Sequence, residues 1–188
     1  MCCGPQAPYP NNFIDHPAIN HRIRFWMMEK YGVTGSLYWA TTYWLGKGGA
    51  LRNPWTSTMS VSPDGGTWGN GDGMMLYPAC HEPSATPVLT GPVPSMRIEM
   101  LREGLEDREY FWLLREAVKK LEAAADARKQ SEDALTLAKQ ALASPDRLAT
   151  SLTEYTKDPA DLYRERDAVA DAIEAILAAF QSHERTTR

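Results

Sequence analysis

Residues 71–110, GDGMMLYPACHEPSATPVLTGPVPSMRIEMLREGLEDREY, constrain the fold more than any other part of this chain. A loop set between Gly71 and Gly73 runs into a short apolar segment. Past Pro92 and Pro94 a helix begins with a dense block of charge. The chain before this stretch is rich in glycine, proline and tryptophan, and the chain after it is charged and helical in pattern. Any ligand site is therefore expected on the first side, with the second side as its support.

The whole chain, 188 residues with a formal net charge of -4, has the length for one domain of ordinary size or one with an appendage. That charge argues against a partner such as nucleic acid or an anionic membrane, which a basic surface would have to hold. No apolar run is long enough to span a bilayer, and residues 1–10 lack the basic and apolar regions of a signal peptide. The expectation is a chain with no nucleic-acid or membrane partner and no export signal, its compartment left open. Cys2, Cys3 and Cys80 are too few for a disulfide framework. With His81 they form two adjacent pairs that lack the usual spacing of zinc ligands, so buried or free thiols are the simpler reading and no cofactor is expected.

In chain order, Asp15 is placed to cap a helix running to about Tyr31, with Ile19, Ile23, Trp26 and Met27 on one face and Gly32 as its stop. Residues 33–40 (VTGSLYWA) read as a buried strand, β-branched and aromatic. Residues 41–73 read as a long loop, which is usually either functional or disordered. Tyr43, Trp44, Trp55 and Trp68 argue against disorder, because solvated indoles and phenols are unfavourable. Residues 74–77 (MMLY) read as a second strand ended by Pro78. From Ser95 a helix is expected to about Ala143, with a break near Arg128. Its stripe of Leu114, Ala117, Val118, Leu121, Ala124, Ala125, Leu135, Ala138 and Leu142 should cover a last helix begun by Pro159, which carries Leu162, Val169, Ile173, Ile176, Leu177 and Phe180.

The segment SMRIEMLREGLEDREY holds Arg97, Glu99, Arg102, Glu103, Glu106, Asp107, Arg108 and Glu109, which cannot all share one solvated face. An ion-pair network is one reading. Another is that Arg97 points into the loop region and holds a ligand or a carboxylate. Gly104, unfavourable by about 1 kcal/mol in a helix interior, suggests close packing there.

The pattern GDG-x-x-x-YP, a Gly-Pro, and then S-x-R-x-E-x-L-R-x-G-x-E-D-x-E-Y-x-x-L-L resembles the C-terminal part of the domain of unknown function 4091 proteins. These include the family 123 glycoside hydrolases. CCGP-x-x-PYPNNFID, the Arg22/Trp26 helix and YGVTGSLYWATTYW with NPW are similar as well, as is an arginine (Arg164 or Arg166) in the closing helix. Two positions depart from the pattern: Ala79 follows Tyr77-Pro78 where a glycine is expected, and Arg108 stands where an aromatic is common.

The resemblance implies an α/β fold, the C-terminal segment of a (β/α)8 TIM-like barrel, followed by an α-helical hairpin. Residues 1–125 would be the barrel part, 126–182 the helical appendage and 183–188 a frayed tail. It also implies hydrolysis of β-linked N-acetylhexosamine assisted by the substrate's own acetamide, with an adjacent Asp-Glu pair on a mid-barrel strand. No Asp-Glu dipeptide occurs here, and Glu106-Asp107 and Glu132-Asp133 lie in the charged helical half. No catalytic residue is assigned.

A sugar-binding wall remains: Tyr38, Trp39, Trp55, Asp72, Tyr77 and Arg97. Aromatic rings can stack on the C–H face of a pyranose and a carboxylate can accept from hydroxyls. Trp39 can equally be a core side chain, Asp72 an Asx-type turn and Trp55 a loop anchor. If residues 33–40 are a strand, Tyr38 and Trp39 alternate and only one faces the site. The expected partners are an N-acetylhexosamine-type glycan, and either the remaining barrel or a second copy to cover open strand edges. The rival reading is a non-catalytic glycan-binding or helical assembly module.

Overall fold

A computed structural model describes residues 4–82, 86, 90–124 and 131–186, with side chains described through Ser182. Cys2, Cys3, Ala125 and the expected helix break at Arg128 lie outside the described residues. The chain divides into two compact units: Met1–Arg24 with Val33–Glu103, and Phe25–Gly32 with Gly104–Arg188.

The first unit has little regular structure. It takes the start of α1 (Ala18–Lys30), an antiparallel hairpin of β1 (Met59–Val61) and β2 (Thr67–Asn70), a second pair of β3 (Leu76–Tyr77) with β4 (Val93–Pro94), and the start of α2 (Met96–Ala123). In the hairpin Met59 faces Asn70 and Ser60 faces Gly69, with a bulge between Ser60 and Val61. The sequence SPDGG makes its turn, where the Ser62 N–H reaches the Gly66 carbonyl at 2.7 Å and the Gly65 N–H returns to Ser62 at 2.9 Å. In the second pair Leu76 faces Pro94 and Tyr77 faces Val93.

Several expectations change here. The described residues form two-stranded sheets and no barrel. Residues 33–40 form no strand, and Leu37 is 79 % exposed. Apolar and β-branched content marks what a strand can be, but a strand exists only through a ladder with a neighbour, and none of the described sheets includes this run. The run 74–77 shortens to β3, with Met74 in a single bridge to Thr42 and both Met74 and Met75 fully buried. The long loop is ordered by the β1–β2 hairpin, whose Asp-Gly turn between MSV and TWGN was a readable signal. Asp15 does not begin the helix: α1 starts at Ala18, and the Asp15 carboxylate takes the Asn70 side-chain amide at 2.9 Å.

The second unit is helical: the end of α1, the remainder of α2, α3 (Glu132–Leu142), α4 (Ser144–Leu148) and α5 (Pro159–Thr186). Gly32, at φ 64°, ends α1 in the left-handed region, as expected. Leu114, Leu121, Leu135, Ala138, Leu162, Val169 and Ile176 are buried and α3 packs on α5, but the expected stripes are buried only in part: Ala117, Val118, Ile173 and Phe180 are half-buried and Leu177 is 51 % exposed. The Trp26 ring meets Phe111 edge-on at 5.0 Å, and its Nε1 donates to Asp107 at 2.8 Å. Asp107 also takes Arg166 at 3.3 Å, and Glu29 takes Arg108 at 2.8 Å and Arg115 at 2.6 Å. These pairs hold the part of the charged block that solvation cannot. Gly104 leaves room only for Phe25, whose ring lies where a Cβ would stand. No helix among the described residues is long and apolar enough to cross a membrane.

Candidate functional site

The Gly71-Asp72-Gly73 loop is built around a buried carboxylate. Gly71 and Gly73 have φ of 75° and 71°, a conformation that L side chains rarely adopt. A Cβ on Gly71 would come within 2.7 Å of Arg97 Nη1, and one on Gly73 within 2.7 Å of the Trp39 ring. The two glycines thus let the backbone reverse tightly around Asp72, which is 0 % exposed. Asp72 Oδ1 accepts from the Tyr38 hydroxyl at 2.7 Å and from Trp39 Nε1 at 3.2 Å. Tyr38 in turn accepts the Gly73 N–H at 2.8 Å, closing a ring of bonds. Burial first, and the Asp72 carboxylate with it, raise the Tyr38 phenol above its ordinary range, so it remains a donor. Because residues 33–40 are not a pleated strand, Tyr38 and Trp39 converge on one oxygen. Strict alternation would have separated them.

Trp39 belongs to a half-buried aromatic group. Its ring lies 4.8 Å from Tyr43 and 5.1 Å from Trp68, and the latter two are 5.4 Å apart. Tyr43 and Trp68 were not in the expected wall, although their position in an aromatic-rich loop was the available hint.

Arg97 turns into the loop region, as one of its two readings required, but it holds backbone. Nη1 donates to the Asn12 carbonyl at 2.8 Å and the Gly71 carbonyl at 2.7 Å. Nη2 donates to the Met74 carbonyl and, at 3.3 Å, to the Tyr77 hydroxyl. It forms no ion pair among the described residues. The guanidinium therefore clamps the chain on both sides of Asp72, and the ion pairs fall to its helix neighbours, such as Arg102 with Glu99 at 2.8 Å.

Tyr77 and Arg97 also border a pocket of about 460 Å³ with Trp55, His16, His21, Ser95 and Met96. The Trp55 ring meets His81, stacked at 4.2 Å, and Tyr77, tilted at 4.8 Å. Its Nε1 donates to the Pro78 carbonyl at 3.0 Å, so Trp55 anchors this loop. The six expected wall residues thus fall into two groups, Tyr38, Trp39 and Asp72 in one and Trp55, Tyr77 and Arg97 in the other, with Arg97 bonded to both surroundings.

His21, which the sequence did not single out, is 3 % exposed, with Nδ1 2.9 Å from the Asn11 carbonyl. Burial, then the charge of Arg97, lower its pKa to about 4. Among the described residues no cluster of three or more His, Cys, Asp or Glu could hold a metal ion. The Glu106-Asp107 pair supplies no free acid, since Asp107 is bonded as above, and Glu132 and Asp133 are exposed.

Compared with known families, residues 1–114 match the model of the glycoside hydrolase 123 catalytic domain. No curated protein matches the chain.

Proposed function

This chain belongs to the glycoside hydrolase 123 catalytic-domain family, and from that premise we propose that its first unit supplies a sugar-binding wall without the acid–base chemistry. The observation that carries this reading is the half-buried Trp39–Tyr43–Trp68 group locked to the Asp72 carboxylate. A pyranose presents a C–H face that such rings attract, and rings fixed beforehand lose little entropy on binding. Trp39 makes the contact. Asp72, having no exposed surface, acts through Trp39 and Tyr38 by fixing their rings, and Arg97 fixes the loop that carries Asp72. The ligand class is a glycan ending in N-acetylhexosamine. No Asp-Glu dipeptide occurs in the chain, which is why catalysis is left out of the proposal.

The fold reading that goes with it is a segment of a (β/α)8 barrel, in which residues 33–40 gain a ladder from further barrel backbone or from a second copy. The apolar exposure of Leu37 supports it. A second reading, a helical assembly module, draws on Leu105, Trp112 and Leu113, which share one exposed face of α2.

The deciding experiment is a titration of the chain with N-acetylgalactosamine and N-acetylglucosamine, followed by tryptophan fluorescence on the species resolved by size exclusion. A saturable change is expected. Trp39→Ala should weaken binding about tenfold or more, the contribution of one ring contact, while Trp112→Ala leaves it unchanged. Equal effects of the two substitutions, or no response from a compact species, would sink the wall reading and favour the helical one.

A further inference from the structure

The indoles of the first unit, Trp39, Trp44, Trp55 and Trp68, do not share one role. The first three donate their N–H inside the protein: Trp39 to the Asp72 carboxylate, Trp44 to the Leu76 carbonyl at 3.1 Å and Trp55 to the Pro78 carbonyl. Trp68 differs. Its ring is half-buried, yet its Nε1 has no partner among the described residues and is not enclosed. A buried indole N–H usually finds an acceptor, so this ring is packed by its carbon surface while its donor is left towards solvent.

The backbone sets that direction. In the β1–β2 hairpin Ser60 faces Gly69 and Val61 faces Thr67, so Trp68 is the extra residue of the bulge, with nothing opposite it. A bulge interrupts strict alternation and re-aims the side chain it carries, and bulges gather beside functional sites. The re-aimed ring meets Trp39 edge-on, the planes 87° apart, and Tyr43 at a tilt of 35°. The Tyr43 hydroxyl donates to the Val61 carbonyl at 3.0 Å. With that hydroxyl and Trp39 Nε1 both engaged, the N–H of Trp68 is the donor these three rings still have to offer, and it is set beside apolar surface.

One donor next to aromatic carbon suits a group with one acceptor and a methyl beside it. A sugar hydroxyl would use the donor alone. An acetamide uses both features: its carbonyl oxygen only accepts, its methyl packs on ring carbon, and its N–H lies on the far side of the trans amide, where it can face water. We propose that Trp68 recognises the acetamide of the bound sugar, with Nε1 donating to the carbonyl oxygen while Trp39 takes the C–H face of the pyranose. Trp68 is then the residue that separates an N-acetylhexosamine from a plain hexose. This role rests on the aromatic wall proposed above and gives that wall its selectivity.

Calorimetric titration of the whole chain with N-acetylgalactosamine and with galactose tests it, using the parent, Trp68→Phe and Trp39→Ala. The parent is expected to prefer N-acetylgalactosamine about tenfold or more, the effect of one hydrogen bond and one buried methyl. Trp68→Phe keeps a ring at the bulge and removes the N–H, so it should narrow that preference about fivefold, the effect of one neutral hydrogen bond. Its thermal midpoint should stay close to the parent's, because the lost N–H has no partner in the protein. Trp39→Ala should weaken both sugars and leave the preference between them. An unchanged preference in a folded Trp68→Phe protein would overturn the role of Trp68 and leave the wall standing. A folded parent that binds neither sugar, or a Trp39→Ala protein that binds both as its parent does, would overturn the wall and the role of Trp68 with it.

Discussion

The two units of this chain reach order by different physics. The second is held by stripes of leucine, isoleucine, valine and alanine on helices, which any chain of the right pattern can bury. The first has short strands, few regular hydrogen bonds, and a set of polar side chains directed inward: Asn11, Asn12, His21, Arg97 and Asp72 are all buried. In one unit burial of apolar area does most of the holding. In the other, particular donors must meet particular acceptors, and a single missing partner leaves several groups unsatisfied. Such a unit is harder to stabilise, but it places polar groups where a ligand can use them.

The sharpest way to break this contrast is Arg97→Ala. The carbonyls of Asn12, Gly71 and Met74 and the Tyr77 hydroxyl would lose their shared donor, at about 3–5 kcal/mol. Hydrogen exchange should then show protection lost across residues 33–103 and retained across 131–181. Arg97→Lys, with one ammonium in place of a planar fork, should recover only part of it. If both units lose protection together, they form one cooperative system and the contrast is void.

Leu114→Ala is the matching test of the second unit. A fully buried leucine truncated in a packed helical core is expected to cost about 3 kcal/mol, read from chemical denaturation. The loss should be graded, with Leu114→Met nearly neutral, because the core asks for volume and not for a specific partner. A large effect from the methionine variant would mean this core is as specific as the polar unit.

Acid sharpens the comparison at smaller scale. His21 has its pKa lowered from 6.5 to about 4, so the unfolded chain takes up its proton first. Its contribution is whole above pH 6.5 and is lost as pH falls towards 4, by about 3 kcal/mol at most. In the second unit burial pushes the Glu165 carboxyl up, but Arg147 and Ser144 outweigh it and hold the group below its usual value. That contribution is present above the unfolded pKa and fails only as pH drops beneath it. Between pH 6.5 and 4.5 the first unit alone should therefore soften, seen as faster exchange in residues 33–103. Replacing His21 with Gln should flatten that part of the profile; an unchanged slope would remove His21 as its source.

What could be read in advance follows the same division. The stripe from Leu114 to Leu121, the helix begun by Pro159 and the stop at Gly32 follow from periodicity and from glycine's access to positive φ, both local properties. The family was legible too, since its motif keeps Gly71, Asp72, Gly73, Tyr77 and Arg97 in fixed spacing. The loop was harder. Tyr43 and Trp68 could be marked as unwilling to face water, but nothing in their order said that they would gather around Trp39.

The sequence by itself determined the long helices, the division between a half rich in glycine, proline and tryptophan and a charged helical half, and the kinship to the glycoside hydrolase 123 catalytic domain. Only the tertiary structure decided that residues 33–40 form no strand, that Arg97 holds carbonyls and not a carboxylate, and that His21 is buried against the Asn11 carbonyl. The reason is physical. Helical bonds and apolar stripes join residues three and four apart, so a short window contains them. The bonds around Asp72 and Arg97 join residues tens of positions apart, and which donor meets which acceptor is fixed only when the chain has folded.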